Sequence, residues 1–106
     1  MTDADTTPLA RTAALVHDAQ RTFDSIALGP QWAKKPWNQQ SENDKASTIR
    51  VVERAAGMTF EEFYDFYTLA PRLGGQPVPP STDTSSPEVR YARMLHAIAT
   101  AMLPTQ

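Results

Sequence analysis

Met58-Thr59-Phe60-Glu61-Glu62-Phe63 constrains the fold more than any other stretch of this sequence. Thr59 and Glu62 have the spacing of a capping box, in which each side chain satisfies a backbone N–H that the first helical turn leaves open. Met58 and Phe63 occupy the two positions of a hydrophobic staple across the same cap. A helix must start here, and it is predicted over 60–69, ending before Pro71 because the residue ahead of a proline avoids the α region.

Three more starts repeat the logic. Thr7-Pro8 and Ser86-Pro87 each place a hydroxyl cap ahead of a proline at the first helical position, where a missing N–H costs nothing. Ser41 caps a third helix, with Asp44 where a capping box has glutamate. Apolar residues follow each start with helical spacing. Leu9, Thr12, Val16, Ala19, Phe23 and Ile26 form one stripe before Gly29-Pro30 stops the first helix. Ala46, Ile49, Val52 and Ala56 form the second, with Gly57 as its C′ residue and Met58 packing back. Tyr91, Leu95, Ile98 and Met102 form the last, widened by Val89, Ala92 and Ala99 and closed by Pro104. The predicted fold is all-α: a compact bundle of about four helices at 8–27, 42–56, 60–69 and 87–103, with a Trp-containing connector and a long Pro/Gly-rich loop. Residues 1–7 are expected to be a disordered tail and 8–104 one domain, the size that 106 residues allow.

Composition narrows the function. The ten basic residues are dispersed among twelve acidic ones, giving a net charge of −2. Duplex nucleic acid is therefore not an expected partner, because phosphate neutralisation needs clustered lysines and arginines. No apolar run approaches the roughly 18 residues of a membrane helix, and the polar N-terminus is no secretory signal. With no cysteine present, a cytoplasmic protein is expected. His17 and His96 lie on different helices, one residue from each stripe, and neither has a ligand partner at helical spacing. No metal or cofactor is expected. Nucleophile and phosphate-loop motifs are missing, so catalysis is not expected.

Two stretches carry the candidate binding residues. Trp32, Lys34, Lys35 and Trp37 interleave aromatics with lysines, a pattern that stacks a base and holds a phosphate; equally, the tryptophans cover the edge of the core while the lysines face water. The helix after Thr59 carries Phe60, Phe63, Tyr64, Phe66 and Tyr67. Most of this arc is core, but five aromatics on a short helix leave a surplus for a sticky patch that includes Tyr64 and Tyr67.

The run His17-Asp18-Ala19-Gln20-Arg21-Thr22-Phe23 resembles the H-E-A-N-R-A-Y motif of small phage and bacterial proteins related to the RyR-type domain, the repeat first described in ryanodine receptors. Ala27-Leu28-Gly29, Pro36-Trp37, Lys45, Ser47 and the S-P-E-E-like Thr59–Glu62 continue the likeness over residues 10–70, and the last helix extends it over 87–103. The family's G-W-x-Y-G loop is replaced by the Pro/Gly/Ser stretch. The resemblance implies a helical recognition module from a bacterium or bacteriophage rather than an enzyme. It also implies that His17, Asp18 and Arg21 pin the Trp connector, with Arg21 over Trp37. Two functions follow as expectations. One is a protein-interaction module that binds a host protein if phage-encoded, with a homodimer as a further option. The other is capture of a small anionic or nucleotide-like ligand by Arg21, Trp32, Lys35 and Trp37.

Overall fold

The computed structural model describes residues 7–103. Within them the chain forms α1 (Pro8–Ala27), two 3-10 turns (Pro30–Trp32 and Trp37–Gln39), α2 (Glu42–Ala56), α3 (Phe60–Tyr67), α4 (Leu69–Leu73) and α5 (Pro87–Met102). No strand occurs among the described residues. The predicted all-α class is what is found. Of the expected tail at 1–7, residues 1–6 lie outside the described residues, as does the Pro104 stop, whereas Thr7 caps α1 by accepting from the Ala10 N–H. No helix of the described residues is long and apolar enough to cross a membrane.

α1, α2 and α5 pack on one another pairwise, and α3 lies against α5. Ala13, Val16, Val52, Ala55, Phe63, Tyr64, Val89, Ala92, Leu95 and Ala99 form the buried cluster. Four of these ten are alanines, which let the three long helices approach closely. Among the described residues no buried side-chain nitrogen or oxygen lacks a partner.

The helix starts behave unequally. Thr59 Oγ1 accepts from the Glu62 N–H at 3.2 Å and Glu62 Oε1 accepts from the Thr59 N–H at 2.9 Å, closing the full box. These bonds hold the Glu62 carboxyl below the usual glutamate range. Thr59→Ala is expected to cost about 1 kcal/mol of stability, read from the denaturant midpoint. At Ser41 only the forward bond forms, from the Asp44 N–H to Ser41 Oγ at 3.1 Å, since aspartate is one methylene shorter than the glutamate that reaches back. Ser86 does not cap α5 with its side chain; its hydroxyl donates to Glu88 Oε2 at 2.6 Å. Gly57 ends α2 at φ −95° rather than in the left-handed region expected of a C′ glycine. Gly29, at φ +109°, is the glycine that the end of α1 requires.

The predicted 60–69 helix divides. α3 stops at Tyr67, Thr68 forms the joint, and α4 runs through Pro71 rather than ending before it. Pro71 is tolerated because it falls in the first turn of a new helix, where the N–H that proline lacks would have no intrahelical acceptor.

The buried faces agree with the predicted stripes in part. In α1 the buried residues are Ala10, Thr12, Ala13, Val16, His17 and Gln20, while Ile26 is 82% exposed. In α2 Ala55 is buried and Ala46 exposed; in α5 Met102 is exposed. Thr12, Val16, Val52 and Leu95 of the predicted stripes are buried, as are Val89, Ala92 and Ala99 that widen the last one, and the departures lie at helix ends and flanks. Small residues at 10, 13, 55, 92 and 99 face the close helix contacts, and the larger apolar residues move to the flanks.

Candidate functional site

His17, placed by its spacing at the core boundary, is only 2% exposed. Its Nε2 donates to the Lys35 carbonyl at 2.6 Å. One turn along α1, Arg21 Nε donates to the Lys34 carbonyl at 2.7 Å. Gln40 adds a second donor to the Lys35 carbonyl at 3.0 Å. The connector is thus pinned to α1 through its backbone, which leaves the Lys34 and Lys35 side chains exposed. Trp37 is half-buried against the core, with its ring 5.7 Å from that of His17. The cation over Trp37 is Lys45, at 5.7 Å, and not Arg21. Arg21 is instead committed to the irregular backbone, whose carbonyls have no ladder partner.

The candidate residues of this region do not converge. Trp32 is 66% exposed. The hollow beside the connector, about 350 Å³, is lined by Arg21, Thr22, Ser25, Ile26, Pro30 and Ala33. None of Trp32, Lys34, Lys35 and Trp37 contributes to it.

The aromatic helix leaves no aromatic exposed. Phe63 and Tyr64 are buried; Phe60, Phe66 and Tyr67 are half-buried. The expected surplus is absorbed in two ways. Arg54 covers Phe66 at 5.2 Å and Arg93 covers Phe60 at 4.2 Å. His96 from α5 packs on Phe63 and Phe60, both at 5.8 Å, while its Nε2 donates to the Met58 carbonyl at 2.8 Å. Tyr64 donates its hydroxyl to the Pro79 carbonyl at 2.5 Å, and Arg93 donates to the Ser81 carbonyl at 3.3 Å. With Val78 packed on the core, these bonds tie the Pro-rich loop down.

Tyr67 of α3 lines a cleft. With Phe23, Asp24, Ala27, Leu28, Pro87, Glu88 and Tyr91 it forms a cleft of about 210 Å³ between the ends of α1 and α3 and the start of α5. A neighbouring cleft of about 230 Å³, along the Pro-rich loop, shares Tyr67 and Glu88. Phe23 and Tyr91 belong to predicted stripes, but no sequence signal brings them to Tyr67 across three helices. Burial, and then the Asp24 charge, push the Tyr67 hydroxyl above its ordinary range. Tyr91 is raised further, by burial first and then by Tyr67 and Asp24, against a lowering hydrogen bond from Gln20. Tyr64 is raised by burial and by Glu88.

These three are all the tyrosines of the chain. A raised folded-state value favours the neutral phenol, so stability is intact below the unfolded value near 10.0 and falls as pH rises beyond it. A phenolate absorbance titration is expected to show every tyrosine ionising above pH 10, with unfolding setting in over the same range. A tyrosine that ionises normally in the folded protein would contradict this.

Comparison with protein-family models, with curated proteins and with solved structures finds no match to this chain. Function must therefore be argued from the surface itself.

Proposed function

We propose that this chain is a non-enzymatic protein-interaction module that docks its partner on the corner where α1 ends. One observation carries the reading. Ile26, Leu28 and Trp32 expose 82%, 63% and 66% of their surface within seven residues of chain. Scattered exposed apolar residues are ordinary; three large ones at one corner, with a tryptophan among them, have the composition of an interface hot spot. The corner is also firmly built, since Arg21 and His17 anchor the backbone that follows it. A preformed surface loses less entropy when a partner binds.

The non-catalytic part of the reading is supported by the histidines. Each donates its Nε2 N–H to a backbone carbonyl and packs against aromatic rings, a structural use of the imidazole. The bacteriophage setting, with a host protein as partner in the cytoplasm, is supported by the RyR-like motif, whose His17 and Arg21 hold the connector.

The test is retention from bacterial lysate on the immobilised chain and on an Ile26→Ser, Trp32→Ser variant shown by circular dichroism to be folded. At least one protein, identified by mass spectrometry, should be held by the wild type and lost by the variant. The same set of proteins on both would defeat the reading. Sedimentation of the two chains shows whether a second copy is the occupant.

A further inference from the structure

The 210 Å³ cleft beside that corner has aromatic walls and an acidic rim. Phe23, Tyr67 and Tyr91 supply rings, the Phe23 and Tyr91 rings meeting edge to face with centroids 5.1 Å apart. Asp24 and Glu88 supply carboxylates, and no lysine or arginine lines this cleft or its neighbour. The ion pair found among the described residues, Arg72 with Asp65, involves neither carboxylate. Glu88 accepts from the Ser86 hydroxyl through Oε2 and lies in the first turn of α5, contacts that hold it ionised without a cationic side chain beside it.

Aromatic faces carry negative quadrupole potential and attract cations. Two unpaired carboxylates add full charges of the same sign, and the low-dielectric walls focus their field. Burial raises the Tyr67 and Tyr91 hydroxyls first, and the Asp24 charge adds to both. An anion is repelled from such a cleft and a cation is drawn in. Size decides the kind of cation. The cleft is smaller than the roughly 300 Å³ at which small-molecule pockets begin, so it suits one side-chain head rather than a whole ligand. Guanidinium fits the lining best, because it stacks on aromatic rings and donates to carboxylates in the same plane.

We propose that this cleft receives an arginine side chain of the protein partner, with the guanidinium against the Phe23, Tyr67 and Tyr91 rings and its charge met by Asp24 and Glu88. Naming a protein as the source rests on the interaction-module reading; the preference for a cation rests on the cleft alone. Leu28 belongs to both the exposed corner and the cleft, so the apolar anchor and the cation anchor are continuous.

The test is an amide NMR titration of the intact chain with a short capped peptide carrying one arginine, the same peptide with citrulline, and tetramethylammonium chloride. The arginine peptide should shift the amides of Phe23, Tyr67 and Tyr91, with citrulline about tenfold weaker. Asp24→Asn with Glu88→Gln should remove that difference. Glu53→Gln, which neutralises an exposed carboxylate of α2 outside both clefts, should leave it unchanged. Equal response to arginine and citrulline, or no response at the cleft, overturns the proposal. So does tighter binding of tetramethylammonium than of the arginine peptide, which would make the site one for a free organic cation. A lysate partner retained at full strength by Asp24→Asn, Glu88→Gln defeats the arginine assignment and leaves the interaction module standing.

Discussion

Phe63→Ala is expected to lower the stability of the fold by about 3–5 kcal/mol, the range for truncating a buried phenylalanine. Phe63 has no exposed surface. Its ring lies 5.4 Å from Tyr67, 6.4 Å from Phe66 and 5.8 Å from His96. Removing it takes the shared neighbour from three rings and opens a cavity where α3 meets α5. Backbone collapse cannot fill that cavity readily, because the capping box fixes one end of α3 and the Tyr64–Pro79 bond ties down its flank. A domain of this size has about 5–15 kcal/mol in total, so the variant should sit near the folding threshold. Urea denaturation measures the loss. A shift below about 1 kcal/mol would show that α3 contributes little to the core.

His17→Ala should be the next most damaging change, at about 2–4 kcal/mol, because it combines a buried ring with a buried hydrogen bond. The ring packs beside Trp37 and the Nε2 donates to Lys35. The two contributions separate in His17→Phe, which keeps ring volume but not the donor. The Lys35 carbonyl then retains only Gln40, and a loss of about 1–2 kcal/mol is expected. Trp37 fluorescence reports whether the connector has left α1. An alanine variant as stable as the phenylalanine one would mean that the ring itself contributes nothing.

The two histidines show how far residue spacing reaches. Spacing places each beside a stripe. It did not show that each would serve as a clamp for a connector carbonyl, because the acceptors, Lys35 and Met58, lie 18 and 38 residues away in sequence. The cation over Trp37 was misassigned for a related reason. The Lys34 carbonyl takes the Arg21 guanidinium as a hydrogen-bond donor, and Lys45 from α2 takes the ring instead.

The proposed site was only partly legible. Ile26 and Phe23 were read as core because both obey the helical period, yet Ile26 is at the surface and Phe23 lines a cleft. Near the end of a helix no neighbour remains to cover the stripe, and periodicity alone carries no information about where the packing partner stops. Tyr67 was singled out as a surplus aromatic and does border open space, whereas Tyr64, named for the same reason, is buried and bonded to Pro79.

Local chemistry in the sequence alone determined where the long helices begin and where α1 stops: the hydroxyl caps at Thr7, Ser41 and Thr59, the Thr59–Glu62 box, the prolines at 8 and 87, and glycine at 29. Such signals act within a turn, so a short window contains everything that sets them. Tertiary structure alone decided which face of each helix is buried, how α3 and α4 divide at Thr68, and that Phe23, Tyr67 and Tyr91 meet around Asp24 and Glu88. Those outcomes depend on how alanine-rich helix faces approach one another, a competition among distant surfaces that no local pattern encodes.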